Sequence, residues 1–252
     1  MIKVHYEAVQ KTNPFDLVVK QHVFPAESIH RFTGSSGTVQ VFMKDQAWVR
    51  NLAPKNHYFC ALRAWDQKSE VGYGRDIESR FQRLADKILA RTVRTINFID
   101  KVAIDEFFAL CRARLSFKHN PFADVAVKAF HGDTLSIDEQ ERLEKHHVLF
   151  FRNGSMPGRF VAGVQGLRYV DFFVDSNAHN QWGIVRAGEG EFLVPDGFRD
   201  MMIVPLSPTI SLMADQSDTV INKQKVAVVN RIAIEKSTQY YFARDLSVCP
   251  IT

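Results

Sequence analysis

The spacing of hydrophobic residues divides the 252-residue chain into a strand-like first third, a helix-like middle and a strand-like last third. Residues 38–44 alternate between apolar and polar side chains and are rich in β-branched and aromatic types, which predicts a strand. Residues 47–52 follow after a two-residue break, which predicts a hairpin. Residues 57–62 are a third candidate strand.

The middle third has the three- and four-residue spacing of amphipathic helices. A helix is predicted from Asp76 to about Ile96, since four apolar residues at this spacing form one buried face: Ile77, Phe81, Leu84 and Ile88. Further helices are predicted at 103–115 and 123–130. Another begins at Ser136, which forms a capping box with Glu139. Residues 159–174 fit either a helix or a strand.

The last third returns to short strands, predicted within 181–188, 190–197, 200–206 and 209–214. A helix over 219–237 and a strand over 239–243 close the chain. This order favours an α+β fold, with strands in the N- and C-terminal thirds around a central group of helices. We predict one domain over 1–252, with an N-terminal extension at 1–20 and a mainly helical, insertion-like region at 75–160.

Composition narrows the class of protein. The chain has no apolar run of about 18 residues and no signal-peptide pattern, so we expect no membrane span and a cytoplasmic location. Cys60, Cys111 and Cys249 are far apart and form no CxxC pair, which argues against a local zinc site or a disulfide framework. No glycine-rich phosphate loop is present.

The positive charge is concentrated in one part of the chain. The net charge is +4, and residues 75–118 contain ten Lys/Arg against six Asp/Glu. Five cations follow one another at steps of three and four residues: Arg80, Arg83, Lys87, Arg91 and Arg94. On one helix face they can lie along a nucleic-acid backbone, whose counterions they would release. The alternative is a solvated helix face, which the lack of interleaved aromatic residues favours.

The stretch "KQHVFPAESIHRF" (residues 20–32) concentrates polar groups around one proline. Pro25 suits the first turn of a short helix, on which Glu27 and Arg31 are spaced to pair. His22 just before that turn can act as a general base, and Arg31 can clamp a phosphate. The alternative is a capped, salt-bridged turn without catalysis.

Several motifs recur in the same order as in a family of bacterial proteins. The opening residues are Gln21, His22, Pro25, Arg31 and Phe32, and the later ones are Ile77-Glu78, Trp182, residues 192–197, residues 205–208, Asn230 and residues 240–243. In this order the chain resembles the bacterial domain-of-unknown-function family 4238, over about residues 20–245. It departs from the family at Pro195-Asp196-Gly197, where members carry Ser-Asp-Asn-Pro.

Members of that family look like accessory proteins of mobile elements and antiviral defence islands. The resemblance therefore implies a nuclease or toxin-like role, with RNA as the expected substrate. We expect His22, Arg31, Glu78 and Asp196 to share one pocket, in which His22 is a base or metal ligand. Glu78 and Asp196 would be acidic partners or Mg²⁺ ligands, and the basic stripe would position the backbone.

The competing hypothesis is a module without enzymatic activity. Such a protein would recognise a phage-encoded protein or a nucleic acid, and its polar motifs would serve only as buried structural networks. The residues leave both hypotheses open, as well as the metal, the trigger and the oligomeric state.

Overall fold

The computed structural model describes residues 6–127, 134–199 and 201–252. The helices are α1 (Ala26–His30), α2 (Gln67–Ser69), α3 (Arg75–Leu89), α4 (Phe98–His119), α5 (Ile137–Lys145), α6 (Gly158–Ser176) and α7 (Lys223–Lys236). The strands are β1 (Lys20–His22), β2 (Val39–Met43), β3 (Trp48–Leu52), β4 (Cys60–Leu62), β5 (Val125–Ala126), β6 (Ser155–Met156), β7 (Trp182–Ala187), β8 (Val194–Pro195), β9 (Ile203–Ser207), β10 (Ile210–Ala214), β11 (Thr219–Ile221) and β12 (Tyr240–Ala243).

Two four-stranded sheets and two strand pairs make up the β structure of these residues. One sheet has the order β3-β2-β12-β8 and is antiparallel throughout. The other has the order β11-β7-β10-β9, in which only β11 runs parallel to its neighbour. Strand β12 joins the end of the chain to the N-terminal hairpin. With helices between these strands in sequence, the predicted α+β class is confirmed.

The N-terminal hairpin is confirmed as β2 and β3, paired antiparallel from Val39 opposite Leu52 to Met43 opposite Trp48. Residues 57–62 are a strand only in their second half. The Asn56 side chain accepts a hydrogen bond from the backbone of Tyr58 and caps a 3₁₀ turn. The following β4 pairs with β1 instead of extending the hairpin.

Helix α3 has the predicted buried face but ends earlier than predicted. The four apolar residues at helical spacing are all buried: Ile77, Phe81, Leu84 and Ile88. The helix stops at Leu89 because Arg91 adopts a left-handed conformation (φ 58°). The Arg91 and Thr92 amides bond back to the carbonyls of Ile88 and Lys87, which is a Schellman motif. The prediction of a helix up to Ile96 is therefore wrong.

Three other predictions meet different outcomes. The capping box of Ser136 and Glu139 is confirmed at the start of α5. Residues 159–174 lie within helix α6, which settles the ambiguity in favour of a helix. The predicted helix at 123–130 is wrong where it is described, since Val125–Ala126 pairs with β6, while residues 128–130 lie outside the described residues.

Helix α4 is buried along most of its length. It packs against α3 and α6, and the main hydrophobic core around it draws residues from the N-terminal hairpin, from α3 and from the C-terminal strands. Asp105 lies on this helix with no exposed surface. Its carboxylate accepts hydrogen bonds from Lys101 and from the Trp182 indole, at 2.7 Å in the latter case.

Replacing Asp105 should strongly destabilise the fold. Asp105→Ala leaves the Lys101 ammonium and the Trp182 indole without their acceptor, and we expect a loss of about 3–5 kcal/mol in the free energy of unfolding. Asp105→Asn keeps an acceptor for Trp182 and should lose less. Urea unfolding measures both, with exposed Asp171→Ala as a control that should change stability by only about 0.5 kcal/mol. Equal stability of Asp105→Ala and wild type would contradict this role.

Candidate functional site

His22 stands at the end of β1 with a fixed tautomer. Its Nε2 lies 3.1 Å from the carbonyl oxygen of Pro54. Since a carbonyl only accepts, Nε2 carries the hydrogen of the neutral ring, and the lone pair is on Nδ1. Burial lowers the pKa of His22 below its usual 6.5, although the Pro54 hydrogen bond and the charges of Glu78 and Glu70 act in the opposite direction. The imidazole is therefore neutral at pH 7.

Glu78 belongs to a group of charges built around Arg114 of α4. The almost fully buried Arg114 guanidinium donates to Glu78 and, at 3.2 Å, to Glu70. The Trp65 indole also donates to Glu70, at 2.6 Å. The charges of Glu78, Glu70 and Arg114 all act on the pKa of His22, so the structure places Glu78 within electrostatic reach of the imidazole. The hydrogen bond of the His22 side chain goes to Pro54, and that of Glu78 comes from Arg114.

Gly74 allows Arg114 to approach α3 this closely. A Cβ atom at Gly74 would lie 3.0 Å from Arg114 Nη2 and 2.7 Å from the Ser69 carbonyl oxygen. The contact with the Ser69 carbonyl is too short for a larger residue without a backbone shift, whereas the guanidinium would have to move by only a few tenths of an ångström. The close approach to the Ser69 carbonyl therefore favours glycine at position 74, beside the Arg114 guanidinium.

Gln21, the first residue of the opening motif, is fully buried and holds the backbone that follows β4. Its side-chain oxygen accepts from the amides of Ala64 and Trp65, and its nitrogen donates to the Trp65 carbonyl. A buried amide with all these partners fixes a turn. Gln21 therefore has a structural role next to His22.

Arg31 is bound elsewhere on α3. Its guanidinium donates to the side chain of Gln82 and, at 2.8 Å, to Asp86. The predicted pair with Glu27 is longer, at 3.9 Å. Asp86 lies eight residues after Glu78, about 12 Å along the helix axis. The structure thus ties Arg31 to α3 and does not bring it into the group around His22.

Asp196 binds the backbone amides at the start of β12 and just before it. Its carboxylate accepts from the amides of Thr238 (2.9 Å), Gln239 (2.6 Å) and Tyr240 (3.4 Å), and the residue is buried. The negative charge of Asp196 acts on the pKa of Lys118 and His119, at the end of α4, where it opposes the lowering caused by burial. The expected convergence of Asp196 with His22 and Glu78 is therefore not what the contacts of Asp196 support.

The basic stripe is only partly a helix face. Arg80, Arg83 and Lys87 are exposed on α3, but Arg91 and Arg94 lie beyond its end, so the prediction of five cations on one face is wrong. The three helical cations lie between about 140° and 200° round the helix from Glu78. They consequently face away from the side of α3 that carries Glu78, so the structure does not support the expectation that the stripe leads a backbone to that site.

The three helical cations instead line a groove with the first turn of α4. The groove measures about 320 Å³, and its other walls include Phe98, Ile99 and Asp100. Phe98 and Ile99 are 77% and 78% exposed. Arg80 also pairs with Glu106 at 2.7 Å. We call this the α3–α4 groove. Sequence reasoning missed Phe98 because it is not interleaved with the cations; the signal was two apolar residues directly after a helix cap, Asn97.

The described residues contain no group of three or more His, Cys, Asp or Glu side chains arranged to hold a metal ion. In the same part of the chain, no helix combines the length and hydrophobicity needed to span a bilayer. The nearest acidic pair to His22, Glu70 with Glu78, is bound by Arg114.

No protein-family model, curated protein or solved structure matches this chain. The resemblance to family 4238 accordingly stays a prediction, and the candidate sites rest on their own geometry.

Asp196 should prove to be a stability residue. Asp196→Ala removes the acceptor of three backbone amides, and we expect the free energy of unfolding to fall by about 2–4 kcal/mol. Asp196→Asn retains one acceptor oxygen, so its free energy of unfolding should lie between those of Asp196→Ala and wild type. Chemical unfolding measures this order. An alanine variant as stable as wild type would contradict the assignment.

Proposed function

We propose that the protein binds single-stranded nucleic acid in the α3–α4 groove. The observation that carries the proposal is the position of Phe98, an exposed aromatic side chain next to Arg83 and Lys87. Proteins that bind single strands combine a cationic groove for the backbone with aromatic faces for unpaired bases. The groove offers both, with the cations on α3 and the aromatic ring on the first turn of α4.

The charges of the groove favour a polyanion. Arg83 and Lys87 have no ion pair among the described residues, whereas Arg80 shares its charge with Glu106. Asp100 also lines the groove, but its side chain accepts from the Asn97 backbone in the capping box of α4. Exposed Arg91 and Arg94 in the connecting loop extend the positive surface. The released counterions supply a salt-dependent affinity.

Two substitutions separate the stacking and charge contributions. Phe98→Ala should weaken binding of a fluorescent oligonucleotide about 5- to 150-fold, because stacking of a base on an aromatic ring contributes about 1–3 kcal/mol. Lys87→Ala should make the dependence of log affinity on log salt shallower by about 0.7 per lost phosphate contact. Fluorescence anisotropy with RNA and DNA single strands, at several salt concentrations, measures both.

Matched controls lie outside the groove. Phe172→Ala removes another well-exposed ring, from α6, and Lys225→Ala removes an exposed charge from α7. Both should leave affinity and salt dependence unchanged. If Phe98→Ala binds single strands as well as Phe172→Ala does, the groove is not the binding site. If the chain binds a phage-encoded protein and no nucleic acid, the alternative hypothesis of a protein-recognition module is favoured.

A second candidate function is RNA cleavage at His22. Its support is the neutral, hydrogen-bonded imidazole within electrostatic reach of Glu78 and Arg114. His22 would take the proton from a ribose 2′-hydroxyl, which then attacks the adjacent phosphorus and expels the 5′-oxygen. The resemblance to family 4238 is consistent with such a nuclease in antiviral defence. Whether Mg²⁺ takes part is a question for the assay.

His22→Ala should lower the cleavage rate about 10²–10⁴-fold if the imidazole is the base. Because the pKa of His22 lies below 6.5, the rate should rise with pH and reach half its maximum below pH 6.5. Total RNA, tRNA and plasmid are incubated with Mg²⁺ or with EDTA, and exposed His179→Ala is the control. Cleavage by His22→Ala at the wild-type rate, or of a 2′-deoxy substrate, would remove His22 from this mechanism.

A further inference from the structure

A cavity of about 690 Å³ lies between the N-terminal segment, the end of α4 and the start of α6. None of the nine residues predicted to form a site lines it. Its volume falls in the range of pockets for small organic ligands, about 300–1,000 Å³. The cavity is therefore a separate candidate site.

Three arginines form one wall of the cavity: Arg63, Arg152 and Arg159, here called the arginine triad. An inner carboxylate, Glu144, is almost fully buried and accepts from Arg63 at 2.6 Å and from Arg159 Nε at 2.9 Å. It holds these two guanidinium groups in place. Arg152 is bound by Asp124 at 3.0 Å.

Glu7 is the outer carboxylate of the arginine triad. One of its oxygens lies 2.7 Å from Arg152 and 2.6 Å from Arg159, and the other lies 3.8 Å from Arg63. Burial works to raise the pKa of Glu7, but the hydrogen bond from Arg152 and the charges of the triad outweigh it and lower the pKa. An ionised carboxylate thus occupies the point where three guanidinium groups meet.

Glu7 is held less firmly than Glu144. Its side chain is 35% exposed, against 2% for Glu144. It belongs to a stretch without regular secondary structure, residues 6–19, which is anchored three residues later where Gln10 bonds to Glu141 at 2.7 Å. Arg63 also donates to the Glu7 backbone carbonyl, at 3.3 Å. The Glu7 side chain can therefore rotate away from the triad while Gln10 and the Glu7 backbone stay in place.

The remaining walls suit a ligand larger than a simple anion. Phe117 and Phe122 line the cavity with ring centroids 5.7 Å apart, and Lys118 and His119 follow on α4. Four Arg/Lys side chains line it against two carboxylates, Glu7 and Asp124. With Glu7 moved away, the excess of positive charge increases.

We propose that this cavity binds a phosphate monoester of nucleotide size, whose phosphate replaces the Glu7 carboxylate at the arginine triad. A phosphate monoester carries close to two negative charges and three acceptor oxygens, which match guanidinium donors better than one carboxylate does. Glu144 and Asp124 keep the arginines oriented during the exchange. The organic group lies against Phe117 and Phe122.

Glu7→Gln provides the decisive test, because a competing internal ligand and a structural ion pair predict opposite results. Adenosine monophosphate, inorganic phosphate and adenosine are titrated into the full chain by calorimetry. Wild type should bind the monophosphate at least tenfold more tightly than either fragment. Glu7→Gln should bind it about tenfold more tightly than wild type, since the competing charge is gone. Arg152→Gln should bind at least tenfold more weakly.

Controls separate these effects from general changes in charge or folding. Glu189→Gln and Arg142→Gln remove exposed charges elsewhere and should leave the affinity unchanged. If Arg152→Gln unfolds, Phe122→Ala should still weaken binding of adenosine monophosphate more than binding of inorganic phosphate. An unchanged or weaker affinity of Glu7→Gln, or inorganic phosphate binding as tightly as the monophosphate, would overturn the proposal. Neither result bears on the α3–α4 groove, whose residues are different.

Discussion

The rest of the structure depends on the burial of charged groups along α4. A helix buried on most of its surface must find a partner for each charge it carries, since an unpaired buried charge costs several kcal/mol. Asp105 accepts hydrogen bonds from Lys101 and from the Trp182 indole, and the second of these connects α4 to the C-terminal sheet. Arg114 forms ion pairs with Glu70 and Glu78, which connect α4 to α3 and to the segment that precedes it.

Each of the three candidate sites uses a different part of α4. The first turn contributes Phe98 to the α3–α4 groove, Arg114 holds Glu78 within electrostatic reach of His22, and the last turn contributes Lys118 to the cavity at the arginine triad. A change in the packing of α4 would therefore disturb all three.

Polar residues that look alike in sequence differ in how fully they are bound. Gln21 and Asp196 are buried, and their side-chain oxygens accept hydrogen bonds from backbone amides. Arg31 is bound to α3. His22 keeps one ring nitrogen for the Pro54 carbonyl and remains partly exposed. Among these four side chains, His22 has the fewest hydrogen bonds in the described residues.

Local patterns in the sequence predicted the elements whose energetics are local. The buried stripe of α3, the capping box of α5 and the hairpin of β2 and β3 each depend on residues within about a dozen positions of one another, and all three are confirmed. The end of α3 was not predicted, because its Schellman motif places Arg91 where a glycine is the usual signal.

By itself, the sequence determined the α+β class, the main helices and strands, and His22 as a residue to test. Only the tertiary structure decided which polar groups meet. Arg114 reaches Glu78 across 36 positions and Arg159 reaches Glu7 across 152. Such pairs follow from how helices pack, since burial forces charges from distant segments to neutralise one another. For the same reason, Phe98 joins the cations of α3 only once α4 has folded back against that helix.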